Sequence, residues 1–403
     1  MNYLKVDRRT LFKLENKYRY ELLHTGIHTL LNHFLNLEFL DPKEKLTAGI
    51  KIDFKVNILG ISKLKETVNF YNTISKRNFK MDSSKIQNSI YFLKTLIELN
   101  KIVSYELKEL NNLKEEIINV NLFEKNKYKN TPEVLSFYNE TKNIEGIKEI
   151  FIQGSLATLD YTRFSDFDTF IILSKEIEEN PDFINELIWK LFKSSIYLYK
   201  FDPYQHHRYF FTLESNINIY NQAFLPVEVL KYAVSFKNSN YSFNSYDSQL
   251  SHLLFITGPI NYFIKHINNN FEEIKNLWHL KYYIATIFFL PVLYLETIDI
   301  YVYKRESFEI IRKYLTDDLN KFLDYCSEIR KNWNYPLIFK ENLFRKMMLN
   351  PLHRNSILYE YLMKNYSQKF DKTKFENIFR DIVPYVNFFY EKTLKKLQKR
   401  NLL

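Results

Sequence analysis

Residues 151–173 read FIQGSLATLDYTRFSDFDTFIIL, and the organisation of the chain follows from them. Two short apolar runs, 148–153 (KEIFIQ) and 168–173 (DTFIIL), flank a polar insert. Gly154-Ser155 opens the insert, and Asp166-Phe167-Asp168 closes it. Apolar runs of this length between turn residues predict β-strands, the second being of the kind found inside a sheet. A strand that ends in Gly-Ser and opens into a helix offers backbone N–H groups, a hydroxyl and the positive end of a helix dipole to an anion, so a phosphate cradle is expected there. The chain has only six glycines, and a missing side chain at a strand end lets a phosphate come close to the backbone. Asp166 and Asp168, one residue apart at a strand start, project to the same face. Paired carboxylates repel unless a cation sits between them, and hard oxygen ligands suit Mg²⁺ bridging to phosphates. The chemistry expected from these residues is in-line nucleotidyl transfer.

The run 154–173 resembles the nucleotidyltransferase superfamily of DNA polymerase β-like fold, whose fingerprint is Gly-Ser, about ten residues, then Asp-x-Asp between two apolar strands. The resemblance implies that Gly154 and Ser155 form the nucleotide-binding turn, with Ser165 beside the acidic pair. It also implies that Asp166 and Asp168 are catalytic metal ligands for Mg²⁺ or Mn²⁺. An NTP, ATP first among them, is the implied substrate, and the acceptor is a hydroxyl of a small molecule, protein or nucleic acid. The family carries a third carboxylate on the strand after the intervening helix. Here that strand is expected over 207–213, with Asp202 before it and Glu214 at its far end, neither well placed for the role. The candidates for a third ligand or base are therefore His206, His207 and Glu214. The alternative reading is a binding or interaction module that keeps the fold without turnover.

Outward from this centre, strands and helices alternate from residue 131 to 240 as β-α-β-α-β-α. Asn180-Pro181 signals a helix start, and a further helix is expected over 226–236. Residues 1–130 read as helices, with Leu96, Leu99, Val103, Leu110, Leu113 and Ile117 forming one apolar stripe over 90–118. Residues 241–403 read as a bundle of helices over 249–267, 271–298, 307–333, 341–366 and 374–399. The expected fold class is α+β: a small mixed sheet in a nucleotidyltransferase domain, flanked by an N-terminal helical region and a C-terminal helical domain.

A single cysteine, Cys326, excludes an intrachain disulfide framework and a cysteine-based metal site, which suits a cytoplasmic setting. The N-terminal residues lack the apolar core of an export signal. The most apolar stretch, 282–295, is short of the roughly 20 residues that span a bilayer, so a buried helix kinked near Pro291 is expected and no membrane span. The net charge of +10 does not by itself indicate nucleic acid, because many lysines alternate with acids, as over 108–116. Lys304-Arg305, at a helix start, reads as surface charge at a helix terminus, and reaches nucleotide phosphates only if the bundle faces the cleft. The basic segment 392–400 reads as a solvated terminal helix.

Overall fold

In a computed structural model of the chain, the described residues are 14–39, 54–75, 77–206, 208–335, 361, 363–365 and 367–400. Three helices come first, α1 (Asn16–Leu35), α2 (Ile58–Ser75) and α3 (Ser89–Leu110), followed by strands β1 (Lys114–Asn119) and β2 (Asn121–Leu122). The middle of the chain runs α4 (Pro132–Thr141), β3 (Ile147–Gln153), β4 (Asp168–Leu173), α5 (Ile184–Ser194), α6 (Ile196–Phe201) and β5 (Tyr209–Leu213). Strands β6 (Tyr220–Asn221), β7 (Val234–Ser235) and β8 (Asn240–Tyr246) follow. The C-terminal helices are α7 (Gln249–Asn268), α8 (Leu277–Glu296), α9 (Lys304–Ile311), α10 (Asp317–Lys331) and α11 (Glu376–Lys399). The protein is thus mixed α+β, as expected at that level.

The strands form a five-stranded sheet ordered β2-β7-β3-β4-β5 and a three-stranded sheet ordered β1-β8-β6. Strand β3 runs antiparallel to β4, placing Gln153 opposite Asp168, while β5 runs parallel to β4 with Tyr209 opposite Thr169. The apolar run of β4 is continuous because both of its faces are covered. Ile171 and Leu173 pack with Ile150, Ile152 and the N-terminal helices, whereas Phe170 and Ile172 pack with Phe151, Tyr220 and Phe243. Glu149, fully buried on β3, ties the sheet's turns together. Its carboxylate accepts from the backbone N–H of Ile150 (2.9 Å), Phe236 (3.0 Å), Lys237 (3.1 Å) and Asn238 (3.0 Å), and from the Tyr241 hydroxyl.

Several elements depart from the expected pattern. The apolar stripe over 90–118 ends as a helix at Leu110, and 114–119 is strand instead, paired with β8. Ile117 consequently lies 65% exposed on β1 rather than on an apolar helix face. Strands β1 and β2 lie before residue 130 yet pair with β8 and β7, and β8 itself crosses residue 240, so strand pairing spans both expected boundaries. The helix expected over 226–236 is a single turn, Val227–Leu230, followed by β7. The helix expected over 307–333 is two, α9 and α10, because Thr316 caps a new start by accepting from Leu319 N. Most of the helix expected over 341–366 lies outside the described residues; 361 and 363–365 are helical. Asn180 caps as expected, accepting from Asp182 N at 3.2 Å.

The C-terminal helices build their own core around α8, and Phe164, Tyr199 and Tyr204 from the middle of the chain insert into it. Phe164 meets Trp333 edge-on, with ring centres 5.1 Å apart. The loop between β3 and β4 is therefore gripped by the bundle. Helix α8 is long and apolar enough to cross a bilayer by length and composition alone, but 78% of its most apolar window is buried inside the protein.

Candidate functional site

Gly154 sits where β3 ends, with φ +69° and ψ −155°, a backbone conformation that side-chain-bearing residues avoid. A Cβ placed there would lie 3.1 Å from Asp168 Oδ2, so the glycine lets the carboxylate and the turn touch. Ser155 opens a helix of one turn, Ser155–Thr158, held by Ala157 N and Thr158 N donating back to Gly154 O (3.1 and 3.3 Å). One turn carries little macrodipole, so the cradle expected here is a backbone bend rather than the end of a long helix. Ser165 is buried and shapes the loop, its hydroxyl accepting from Thr162 N at 2.9 Å.

Asp166 and Asp168 flank Phe167, whose fully buried ring points into the sheet's core. Gln205 fixes their backbone: its side chain accepts from Phe167 N (3.0 Å) and donates to Phe167 O (3.2 Å), imitating a neighbouring strand. Both aspartates keep partial solvent contact, with 17% of the Asp166 side chain exposed.

Asp202, at the end of α6, joins this group through a lysine from the C-terminal bundle. Lys281 Nζ on α8 donates to Asp166 Oδ1 at 2.7 Å and also to Asp202 Oδ2. The Lys281 side chain is 1% exposed and that of Asp202 3%. Burial works against the Lys281 ammonium, but the Asp166 and Asp202 carboxylates outweigh it and hold it above the ordinary lysine range. Burial pushes the Asp202 carboxyl well above the usual carboxylate range against the pull of Lys281, and Asp166 adds to the push. With one ammonium for two carboxylates, the buried Asp202 carries the greater tendency to keep a proton.

Helix α9 closes another side of the site. Tyr303 and Thr158 bring their hydroxyls to 3.4 Å, and Arg305 reaches Asp160 at 3.3 Å, so the start of α9 docks beside the Gly-Ser turn. Lys304 keeps a solvent-exposed side, yet the protein surrounding its ammonium, followed by Arg330, presses it down to about 8. Asp166 and Asp168 pull the other way.

Of the expected third ligands, Glu214 and His206 do not join this cluster. Glu214 lies at the far end of β5, accepting from Lys175 N (3.0 Å) and pairing with Lys148 (3.2 Å). Since β4 and β5 are parallel, that is the end of the sheet opposite Asp168. The His206 ring packs among aromatic side chains of α8, 4.2 Å from Trp278 and 4.8 Å from Tyr282. His207 lies outside the described residues. Among the described residues, no three His, Cys, Asp or Glu side chains converge as a metal-holding group. Asp202, judged badly placed for the third carboxylate by its position before the strand, comes instead from a helix end. Lys281 had a legible signal, a charge directly before the most apolar stretch of the chain, which needs a buried partner. Gln205 had none.

Compared with family models, with curated proteins and with solved structures, the chain matches none. Function is therefore argued from the site itself: Asp168 against the Gly154 turn, Asp166 paired with Lys281, and Lys304 within the influence of both aspartates. Carboxylate oxygens are the kind of ligand that hard divalent cations take, and cations beside a backbone turn are the kind of group that phosphates take.

Proposed function

We propose that this protein transfers a nucleoside monophosphate from an NTP, ATP in first place, to a hydroxyl acceptor, with Mg²⁺ or Mn²⁺ held by Asp166 and Asp168. One observation carries the reading: the Asp168 carboxylate lies against Gly154 so closely that a Cβ would come within 3.1 Å of it. An ion on that carboxylate and a phosphate on that turn would be neighbours. When bound, the ion neutralises phosphate charge and lowers the pKa of an attacking hydroxyl.

The chain's own residues do the rest. Gly154 and Ser155 let the triphosphate approach the backbone, and Gln205 keeps the 166–168 backbone from shifting as the ligand binds. Lys304, with Arg330 behind it, supplies positive charge against the phosphates and the pyrophosphate that leaves. Tyr303 and Arg305 hold α9 against the 155–160 segment, so that Lys304 and the turn keep a fixed relation.

A second reading is a nucleotide-binding module without turnover. It is favoured by Lys281, which already engages Asp166 and so reduces what that carboxylate offers an ion.

The test is incubation with α-labelled NTPs, Mg²⁺ or Mn²⁺ and cell extract, beside the Asp166→Asn/Asp168→Asn variant. Transferred label that falls at least about 100-fold in the variant supports the enzyme. NTP binding with no transfer under either ion supports the module, and no NTP binding removes both.

A further inference from the structure

Carboxylates that share a site can hold divalent ions between them. The arrangement here is different. Asp202 spends both oxygens on its own chain: Oδ1 accepts from Tyr204 N at 3.0 Å and Oδ2 accepts from Lys281. Lys281 also takes Oδ1 of Asp166 at 2.7 Å, so an ammonium stands between the two carboxylates where a second ion would have to sit. It cannot easily swing away. Its stem belongs to α8 in the middle of the bundle core, its side chain is 1% exposed, and the Phe164 ring lies 5.3 Å from its nitrogen.

We infer that Lys281 is a built-in substitute for a second divalent ion, so that the site takes a single ion at Asp166 and Asp168 together with the nucleotide. This rests on the nucleotide reading given above. Lys281 is a positioning residue, because its burial keeps it from substrate. It holds Oδ1 of Asp166 and Oδ2 of Asp202 and so fixes the orientation of Asp166. Asp202 serves Lys281 rather than the ion. The geometry has a clear physical logic: an ammonium supplies one positive charge without the near-octahedral water shell that Mg²⁺ demands, and so fits a closed pocket where Mg²⁺ does not.

The experiment counts Mn²⁺ by electron paramagnetic resonance as α,β-methylene-ATP saturates the full chain. The wild-type protein should bind one Mn²⁺ per bound nucleotide. Lys281→Ala, which removes the charge and empties the space the side chain fills, should bind two. Asp202→Asn, a milder change that leaves Lys281 paired with Asp166, should keep one ion with affinity within about twofold of wild type, whether or not Lys281→Ala folds. Two ions in the wild-type complex would overturn the inference, as would one ion in folded Lys281→Ala. A tenfold or greater loss of Mn²⁺ affinity in Asp202→Asn would overturn it too, since Asp202 would then be a ligand. Absence of any bound nucleotide in the wild type would instead strike at the nucleotide reading.

Discussion

Gly154→Ala tests the centre of the site, because two separate features of the structure oppose a side chain there. The first is backbone strain. At φ +69° and ψ −155° the residue occupies a region used almost only by glycine, and a non-glycine residue pays about 1–3 kcal/mol for it. The second is contact, since the new Cβ would stand 3.1 Å from Asp168 Oδ2, so the carboxylate must yield by a few tenths of an ångström. Asp168 begins β4 directly opposite Gln153, the residue before the glycine, so the two strands cannot part to relieve it. Stability should therefore fall by about 1–3 kcal/mol, and nucleotide affinity in the presence of Mn²⁺ by about tenfold, a fraction of what a full ångström of misplacement costs. Urea denaturation followed by tryptophan fluorescence reads the first, and titration with α,β-methylene-ATP reads the second. Gly26 and Gly258 give the internal control, because in their helices a Cβ meets nothing within 4 Å, so alanine there should stabilise each by about 0.5–1 kcal/mol. A Gly154→Ala protein as stable as wild type, with unchanged nucleotide affinity, would refute both the conformation and the contact.

Three further outcomes follow from groups whose protonation the fold controls. Glu21, buried on α1 with Oε1 accepting from Ser251 N at 2.6 Å, is raised by burial from 4.5 to about 8. Its contribution is fully present below the unfolded value near 4.5 and is lost as pH climbs to about 8, a change of about 5 kcal/mol. Glu21→Gln should flatten that fall, making the variant the more stable protein at pH 8.5 in urea titrations and not at pH 5; equal pH dependence would contradict it. Burial holds His28 down to about 4, and so acts in the opposite direction. Its stability contribution is present above the unfolded value near 6.5 and lost as pH falls toward 4. Lys304, pressed down to about 8 by its surroundings, is partly neutral at pH 8.5, so a triphosphate should draw a proton onto it. Calorimetry in buffers of different ionisation enthalpy should show proton uptake at pH 8.5 that disappears in Lys304→Arg; the same uptake in that variant would place the proton elsewhere.

How much of this was legible in the sequence depended on whether the physics was local. The strands β3 and β4 and the pairing of the glycine turn with Asp168 follow from residues within about 20 positions, where apolar length and turn chemistry decide the outcome. The helix-to-strand change after Leu110 was not readable that way. A stripe at three- and four-residue steps continues through Leu113 and Ile117, yet Asn111 and Asn112 break the helix and the partner that makes 114–119 a strand lies about 130 residues away, in β8. Sequence separation likewise hid Asp202 and Lys281, whose roles exist only because Lys281 on α8 reaches Asp202, 79 residues away, and Asp166, 115 residues away. Even so, a lysine one position before the most apolar stretch of the chain carried a warning that the fold had to answer with buried acids.

The charges of the site explain why ion and nucleotide should come together rather than one at a time. Lys281 engages Asp166 and Asp202 by direct contact, Asp202 tends to keep a proton, and Lys304 with Arg330 near it lies within the influence of Asp166 and Asp168, so the protein should offer little net attraction to a bare divalent ion. A bare ion would meet Lys304 as a repulsive neighbour, and a bare triphosphate would meet the two aspartates in the same way. The ion with its nucleotide meets neither penalty, because the ion screens the phosphates from the carboxylates and the phosphates screen the ion from Lys304. The cost of pressing an ammonium down to about 8 in the ligand-free protein is then recovered when phosphate arrives. If the proposed nucleotide site is right, an arrangement that looks like neutralised acids in isolation should favour the complex over either of its parts.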